Sequence, residues 1–175
     1  MRFHETRLKG AFIIEPNPSE DDRGLFARTF CAREFREHGL ASTFVQCNTS
    51  WNRQKGTIRG LHYQLPPHGE VKLVRCTAGS IWDVIVDLRR DSASYLQHVG
   101  VELSAANRLA LYIPEMFAHG FQALEDGAEV CYQMGSFYAP EHAAGLRYDD
   151  PQLRIVWPLK VSVVSEKDLS WAQLT

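Results

Sequence analysis

Short runs of strand-forming residues, each closed by turn residues, leave this chain few ways to fold. The runs are "FVQCNTSW", "TIRGLHYQ", "VKLVRCTAG", "IWDVIVDLR", "HVGVELSA", "LALYIPE", "HGFQALE" and "AEVCYQMG". Between them stand "TAGS", "SAAN" and "EDGA", and earlier "PNPSEDDRG", all rich in residues that reverse a chain. Strands recurring at this spacing predict a sandwich or barrel rather than strands alternating with helices. Only "AREFREHG" reads as a clear helix, with Gly39 placed to cap its end. The later "SEKDLSWAQL" predicts one further short helical turn.

With 175 residues and no repeat, linker or low-complexity segment, the chain reads as one domain over residues 1–175. The predicted class is all-β: a double-sheet jelly-roll barrel of the cupin type, with Greek-key connections and short peripheral helices. A net charge of -2 gives no electrostatic footprint for nucleic acid or an anionic membrane. No apolar run approaches the roughly 20 residues that span a bilayer. The opening "MRFHETRLKG" lacks the apolar segment of a secretion signal, so a cytoplasmic location is expected. Cys31, Cys47, Cys76 and Cys131 show no CxxC spacing, and the reading is of reduced, mostly buried thiols.

The stretch "GTIRGLHYQ" is a strand with charged passengers. Strict alternation sends Thr57, Arg59, Leu61 and Tyr63 to one face, and Ile58, Gly60, His62 and Gln64 to the other. Arg59 and His62 then cannot share a cavity unless the strand is distorted. Glycine inside a strand marks such distortions, so a bulge at Gly60 is expected. Similar polar intrusions occur in other strands as Lys72, Asp83, His119 and Tyr132. Each has an ordinary structural explanation on its own: Lys72 could reach solvent, Asp83 could bind a turn, and Tyr132 could pack in the core. Six such residues, including Arg59 and His62, fall on separate strand positions whose inward sides converge in a small barrel.

Many cupin barrels hold a metal there, using a His-x-His pair, a following Glu and a later His. In this chain the pair is "HYQ", so His62, Glu70 and His119 are the remaining candidate ligands. Two His and one carboxylate could hold iron. An uncompensated charge on Lys72 beside them argues against a dication, and no metal or other cofactor is expected.

The ordered motifs "GTIRGLHYQ", "KLVRCTAGSIWDVIVDLRR", "VELSAAN", "YIPEMFAHGF", "YAPEHAAGLRYDDP" and "SEKD" resemble those of the dTDP-4-dehydrorhamnose 3,5-epimerase family. The resemblance covers nearly the whole chain, from "DDRGLF" to "SEKD". It implies a cupin jelly roll, a homodimer without metal or organic cofactor, and a nucleotide-diphosphate sugar as substrate. The implied reaction inverts carbon 3, carbon 5 or both, beside the keto group of a 4-keto-6-deoxy hexose. By matching motifs, His62 is the base, Asp168 orients it, Tyr132 is the acid, and Lys72 stabilises the enolate oxygen. His119, with Asp83 behind it, would contact the sugar, and Arg59 the diphosphate. Arg23, Phe26, Arg28, Gln46, Asn48, Tyr138 and Lys167 complete the implied substrate contacts.

Departures from the family gather at the nucleotide end. "RGLFAR" has Arg28 where the family has glutamate, "QCN" has Cys47 for an acidic residue, and Ala143 stands where glutamate is usual. Arginine can only donate, whereas glutamate could accept the N3–H of thymine, so a cytidine or guanosine diphosphate sugar becomes an alternative. Two other classes are compatible with parts of the pattern. A metal-dependent cupin isomerase or dioxygenase would use His62, Glu70 and His119. A non-catalytic sugar-nucleotide binding protein would keep Arg59 and the aromatics, with little need for His62, Lys72, Tyr132 and Asp168 together.

Overall fold

The computed structural model describes residues 1–174. In chain order the strands are β1 (Arg2–Glu5), β2 (Phe12–Glu15), β3 (Ser19–Asp21), β4 (Gly24–Phe26), β5 (Gln46–Asn52), β6 (Ile58–Gln64) and β7 (Lys72–Ala78). They continue with β8 (Ser80–Asp87), β9 (His98–Ser104), β10 (Ala110–Ile113), β11 (Phe117–Ala123), β12 (Ala128–Met134) and β13 (Ala143–Gly145). Helix α1 (Ala32–Glu37), a 3-10 turn at Pro140–His142 and helix α2 (Glu166–Leu169) complete the elements.

One sheet has the order β1-β2-β10-β7-β12-β5 and the other β13-β6-β11-β8-β9, while β3 and β4 form a separate hairpin. From β5 to β12 the chain weaves between the sheets, giving 5-12-7-10 on one side and 6-11-8-9 on the other. That is the strand order of a jelly roll, and every pairing within it is antiparallel. All the strands read from the sequence are present, as are α1 and the helical turn α2. Gly39 takes φ +69° just past α1, the left-handed conformation its capping role requires. Strands β1 to β4 and β13 lie outside the sequence expectation. They are three or four residues long, and β1, β3 and β4 are mostly exposed, so they carry little hydrophobic alternation to read.

The barrel core is built where both sheets turn apolar residues inward, among them Val74, Ile81, Ile85, Leu111, Phe117, Phe121 and Val130. Two outer layers cushion it. Phe35 of α1 is fully buried against Ile14, Leu73 and Tyr112, in a cluster of edge-on aromatic contacts with Phe3, Phe30 and Phe44. Burying such a phenyl ring contributes about 2–3 kcal/mol. On the opposite side Leu61, Val84 and Val86 pack under Leu146 and Leu153. Among the described residues no helix is long and apolar enough to cross a membrane.

The four cysteines are all free thiols. Cys76 is buried, and burial pushes its thiol up to about 11, which makes it a poor nucleophile. The reading of mostly buried thiols does not hold for the others. Cys31 and Cys131 are partly buried, and Cys47 is exposed because it lies on edge strand β5.

The expected distortion in β6 is present. His62 faces His119 and Arg59 faces Phe121, so Gly60 and Leu61 together oppose the single residue Gly120. This extra residue breaks the alternation. Arg59 and His62 both reach the cavity between the sheets, while Leu61 enters the outer apolar layer. Gly60 has φ +103°, and a Cβ there would lie 2.6 Å from the His119 carbonyl oxygen and 2.7 Å from the Gly120 Cα. Replacement by alanine therefore combines left-handed strain with a backbone clash. Gly60→Ala is expected to lose at least about 2 kcal/mol of stability. Urea denaturation measures it, and a loss below about 0.5 kcal/mol would mean the two strands can separate freely.

Candidate active site

A cavity of about 680 Å³ opens between the sheets and is lined from both of them. Strand β5 contributes Gln46 and Asn48, β6 contributes Arg59 and His62, β7 contributes Lys72, β11 contributes His119, and β12 contributes Tyr132. Tyr138 lies beyond β12, and Lys167 and Asp168 come from α2. The inward positions on β7, β11 and β12 lie on the same strand faces as the core residues Val74, Phe121 and Val130, so one period-two pattern builds both cavity and core.

His62 Nε2 and Asp168 Oδ1 are 2.6 Å apart. The second carboxylate oxygen accepts the backbone N–H of Gly60 at 3.2 Å. Helix α2 is fixed at its start by the Ser165 hydroxyl, which accepts the Asp168 N–H at 3.1 Å. Burial alone would raise the Asp168 pKa, but the hydrogen bond and charge of His62 and the Gly60 N–H outweigh it and hold the carboxyl below its usual range. An ionised carboxylate can only accept, so the imidazole proton sits on Nε2. Nδ1 is thereby left with its basic lone pair.

A second imidazole–carboxylate pair lies deeper. His119 Nε2 and Asp83 Oδ1 are 2.7 Å apart, with both side chains buried. Asp83 Oδ2 has no hydrogen-bond partner among the described residues. The Tyr132 ring meets His119 edge-on, with centroids 6.1 Å apart. Burial first, then the nearby Asp83 carboxylate, pushes the Tyr132 phenol far above its ordinary value, so it remains a protonated donor.

Lys72 departs from the sequence expectation. Its charge is not uncompensated: Nζ lies 3.0 Å from Glu70 Oε1 and donates to the His62 carbonyl at 3.1 Å. With side chains only 6% and 8% exposed, Lys72 and Glu70 form a buried pair. Glu70, considered from sequence as a metal ligand, is thus the counter-charge that makes a buried ammonium tolerable. His62 and His119 each turn a ring nitrogen to a carboxylate, and the three candidate ligands do not form a metal-sized cluster among the described residues.

Arg59 donates through Nε to Asn52 Oδ1 at 2.8 Å and through Nη2 to the Trp51 carbonyl at 3.3 Å, which fixes its guanidinium at the cavity wall. Asp83 lies behind His119 and does not line the cavity. Arg23, Phe26 and Arg28 do not reach it either. Arg23 pairs with Asp21 in the β3–β4 turn, Phe26 is 80% exposed, and Arg28 pairs with Glu34 at 3.1 Å. Further residues line the cavity that were not site candidates in the sequence, Gln64 and Trp171 among them. Gln64 uses its amide to hold the His68 carbonyl and the Ala139 N–H, and Trp171 packs on Gly145 beside Lys167. Trp171 follows the "SEKD" motif by three residues, which was the available clue.

A family model described as dTDP-4-dehydrorhamnose 3,5-epimerase matches residues 5–175. An enzyme of that name from Methanothermobacter thermautotrophicus is 47% identical over 99% of this chain and 94% of its own length. The crystal structure of such an enzyme from Elizabethkingia anophelis superposes with a TM-score of 0.96 at 40% identity, covering 99% of this chain and 96% of that one. A dTDP-6-deoxy-D-glucose-3,5-epimerase from Legionella pneumophila, solved in complex with dTDP-4-keto-L-rhamnose, superposes with a TM-score of 0.92 at 40% identity over 98% of this chain and 92% of that one.

The Asp168 pKa fixes the sign of one pH effect. A carboxyl whose folded pKa is below the ordinary value of about 3.9 contributes fully above that pH, and its contribution is lost as pH falls through the folded value. Asp168→Asn is therefore expected to be about 1–3 kcal/mol less stable than the parent near pH 7. The gap should shrink below about pH 4. Urea denaturation at several pH values checks this, and a gap unchanged down to about pH 3.5 would contradict it.

Proposed function

The chain belongs to the dTDP-4-dehydrorhamnose 3,5-epimerase family, and we propose that His62 and Tyr132 are the two proton-transfer groups of its single domain, residues 1–175. It is an isomerase that epimerises a nucleotide-linked 4-keto-6-deoxy hexose in deoxysugar biosynthesis. The observation that carries the residue assignment is their placement on facing sheets. His62 is on β6 of one sheet and Tyr132 on β12 of the other, with the cavity between.

The 4-keto group acidifies the C–H bonds at carbons 3 and 5. His62 Nδ1 takes one of these protons, and the electron pair moves onto the ketone oxygen as an enolate. The Lys72 ammonium stabilises that oxygen, and Asp168 stabilises the imidazolium that forms. The enolate then collapses, and its carbon takes the phenolic proton of Tyr132 from the other face. A phenol is a stronger acid than the α-carbon of a ketone, so this transfer runs downhill even with the phenol's pKa raised. Exchange with solvent returns a proton to Tyr132 and removes one from His62. Repetition at the second carbon gives the 3,5-epimer. His119, with Asp83 behind it, contacts the sugar, and Arg59 and Lys167 hold the diphosphate. Gln46, Asn48 and Tyr138 meet the nucleoside.

The nucleotide we assign is thymidine diphosphate, as in the ligand bound to the Legionella relative. We further assign a cytoplasmic homodimer in which the partner's Arg23, Phe26 and Arg28 complete each cavity. Those residues lie away from the cavity of their own chain, Phe26 is exposed, and β5 is an open sheet edge.

Solvent exchange in heavy water tests the chemistry. The parent should incorporate deuterium at carbons 3 and 5 of dTDP-4-keto-6-deoxyglucose. His62→Ala should lose at least about 100-fold in rate. Tyr132→Phe should fold and exchange but fail to invert. Wild-type exchange by His62→Ala would remove the histidine from its role. In the same assay dTDP should inhibit at a concentration at least about tenfold below CDP or GDP, a margin of about 1.4 kcal/mol. The dimer is checked separately by light scattering at micromolar concentration. A fully active monomer would refute the shared site.

A further inference from the structure

Beside the cavity rim stands a group of side chains that the epimerisation does not use. His68, in the loop between β6 and β7, faces His142 at the end of the 3-10 turn, with ring centroids 4.4 Å apart. Glu141 precedes His142, and one ligand atom from each of the three lies within 4.8 Å of the others. Among the described residues none of these side chains makes an ion pair or a hydrogen bond. Both histidines are partly buried and Glu141 is exposed, so the cluster is open to solvent ions.

The backbone under the cluster is already held. The His142 carbonyl accepts the Leu65 N–H at 2.9 Å, and Gln64 binds the His68 carbonyl at 3.0 Å and the Ala139 N–H at 2.6 Å. Two imidazoles and a carboxylate are thus presented by two loops that are pinned to one another. A tetrahedral zinc ion with metal–ligand bonds of about 2.0–2.2 Å sets its ligand atoms about 3.3 Å apart. Small side-chain rotations would bring these three atoms to that spacing, with a water completing the set.

We propose that His68, Glu141 and His142 form a binding site for a borderline divalent transition-metal ion, with zinc the best match. Imidazole donors favour zinc, nickel, cobalt and copper over magnesium and calcium, which require oxygen ligands throughout. The bound ion clamps the β6–β7 loop to the chain entering β13. Those segments carry Glu70 and Ala143, both of which line the cavity. The ion therefore stiffens the rim without entering the chemistry. It is distinct from the interior set of His62, Glu70 and His119, whose ligand atoms are turned to other partners.

The test uses the tag-free full chain, stripped with chelator and titrated calorimetrically with zinc chloride. About one equivalent per chain should bind in the micromolar range or tighter, with magnesium showing no binding. His68→Ala, His142→Ala and the milder Glu141→Gln should each weaken zinc at least about tenfold. At about 100-fold excess over its dissociation constant, zinc should raise the melting temperature of the parent by about 5 °C or more. The histidine variants should lose that rise while melting near the parent without zinc, which shows that they fold. Zinc binding no tighter than about 100 μM, or binding unchanged in all three variants, would overturn the proposal.

Discussion

At residue 60 the backbone of β6 runs so close to β11 that an added Cβ would sit 2.6 Å from the His119 carbonyl oxygen. That approach puts an extra residue into β6 and turns both Arg59 and His62 toward the cavity. The same glycine offers its N–H to Asp168, so the carboxylate is steered by the backbone it must face. One steric constraint thus places the imidazole, the guanidinium and the orienting carboxylate together. An undistorted strand would have put His62 and Arg59 on opposite faces.

Ionisable groups inside the barrel are arranged in pairs: His62 with Asp168, His119 with Asp83, and Lys72 with Glu70. Such pairs contribute little net stability, because desolvation offsets most of their attraction. Stability comes instead from the apolar inner faces and from the two outer layers around Phe35 and Leu61. The division leaves the polar pairs free to serve chemistry. It also makes each one intolerant of losing a partner, since an unpaired buried charge is far costlier than a deleted pair.

Most of this was legible before any coordinates. The strands β5 to β12 are long enough to show their alternation, and the Arg59–His62 conflict pointed to the bulge at Gly60. The motif order named the cavity residues. What could not be read was of two kinds. Strands β1 to β4 and β13, at three or four residues, are too short to carry a pattern, and β1, β3 and β4 are exposed as well. Side-chain pairings were hidden as well: Glu70 resembles a metal ligand in sequence, and its role as the counter-ion of Lys72, two residues on, shows only in the buried geometry of that loop. Arg23 and Phe26 match their motif and Arg28 departs from it, yet none of the three reaches the cavity of its own chain.

His62 and Asp168 are separated by 106 positions along the chain. Ribosomes add about 5–20 residues each second, so the carboxylate arrives roughly 5–20 s after the imidazole it orients. During that interval strands β7 to β13 are still being made, and until α2 arrives His62 has no carboxylate to fix its tautomer and the Gly60 N–H lacks its acceptor. The last strand, β13, ends at Gly145, ahead of Asp168, so the base is ordered only after every cavity strand has been made. Ordering of the base is therefore among the final events of biosynthesis rather than an early one.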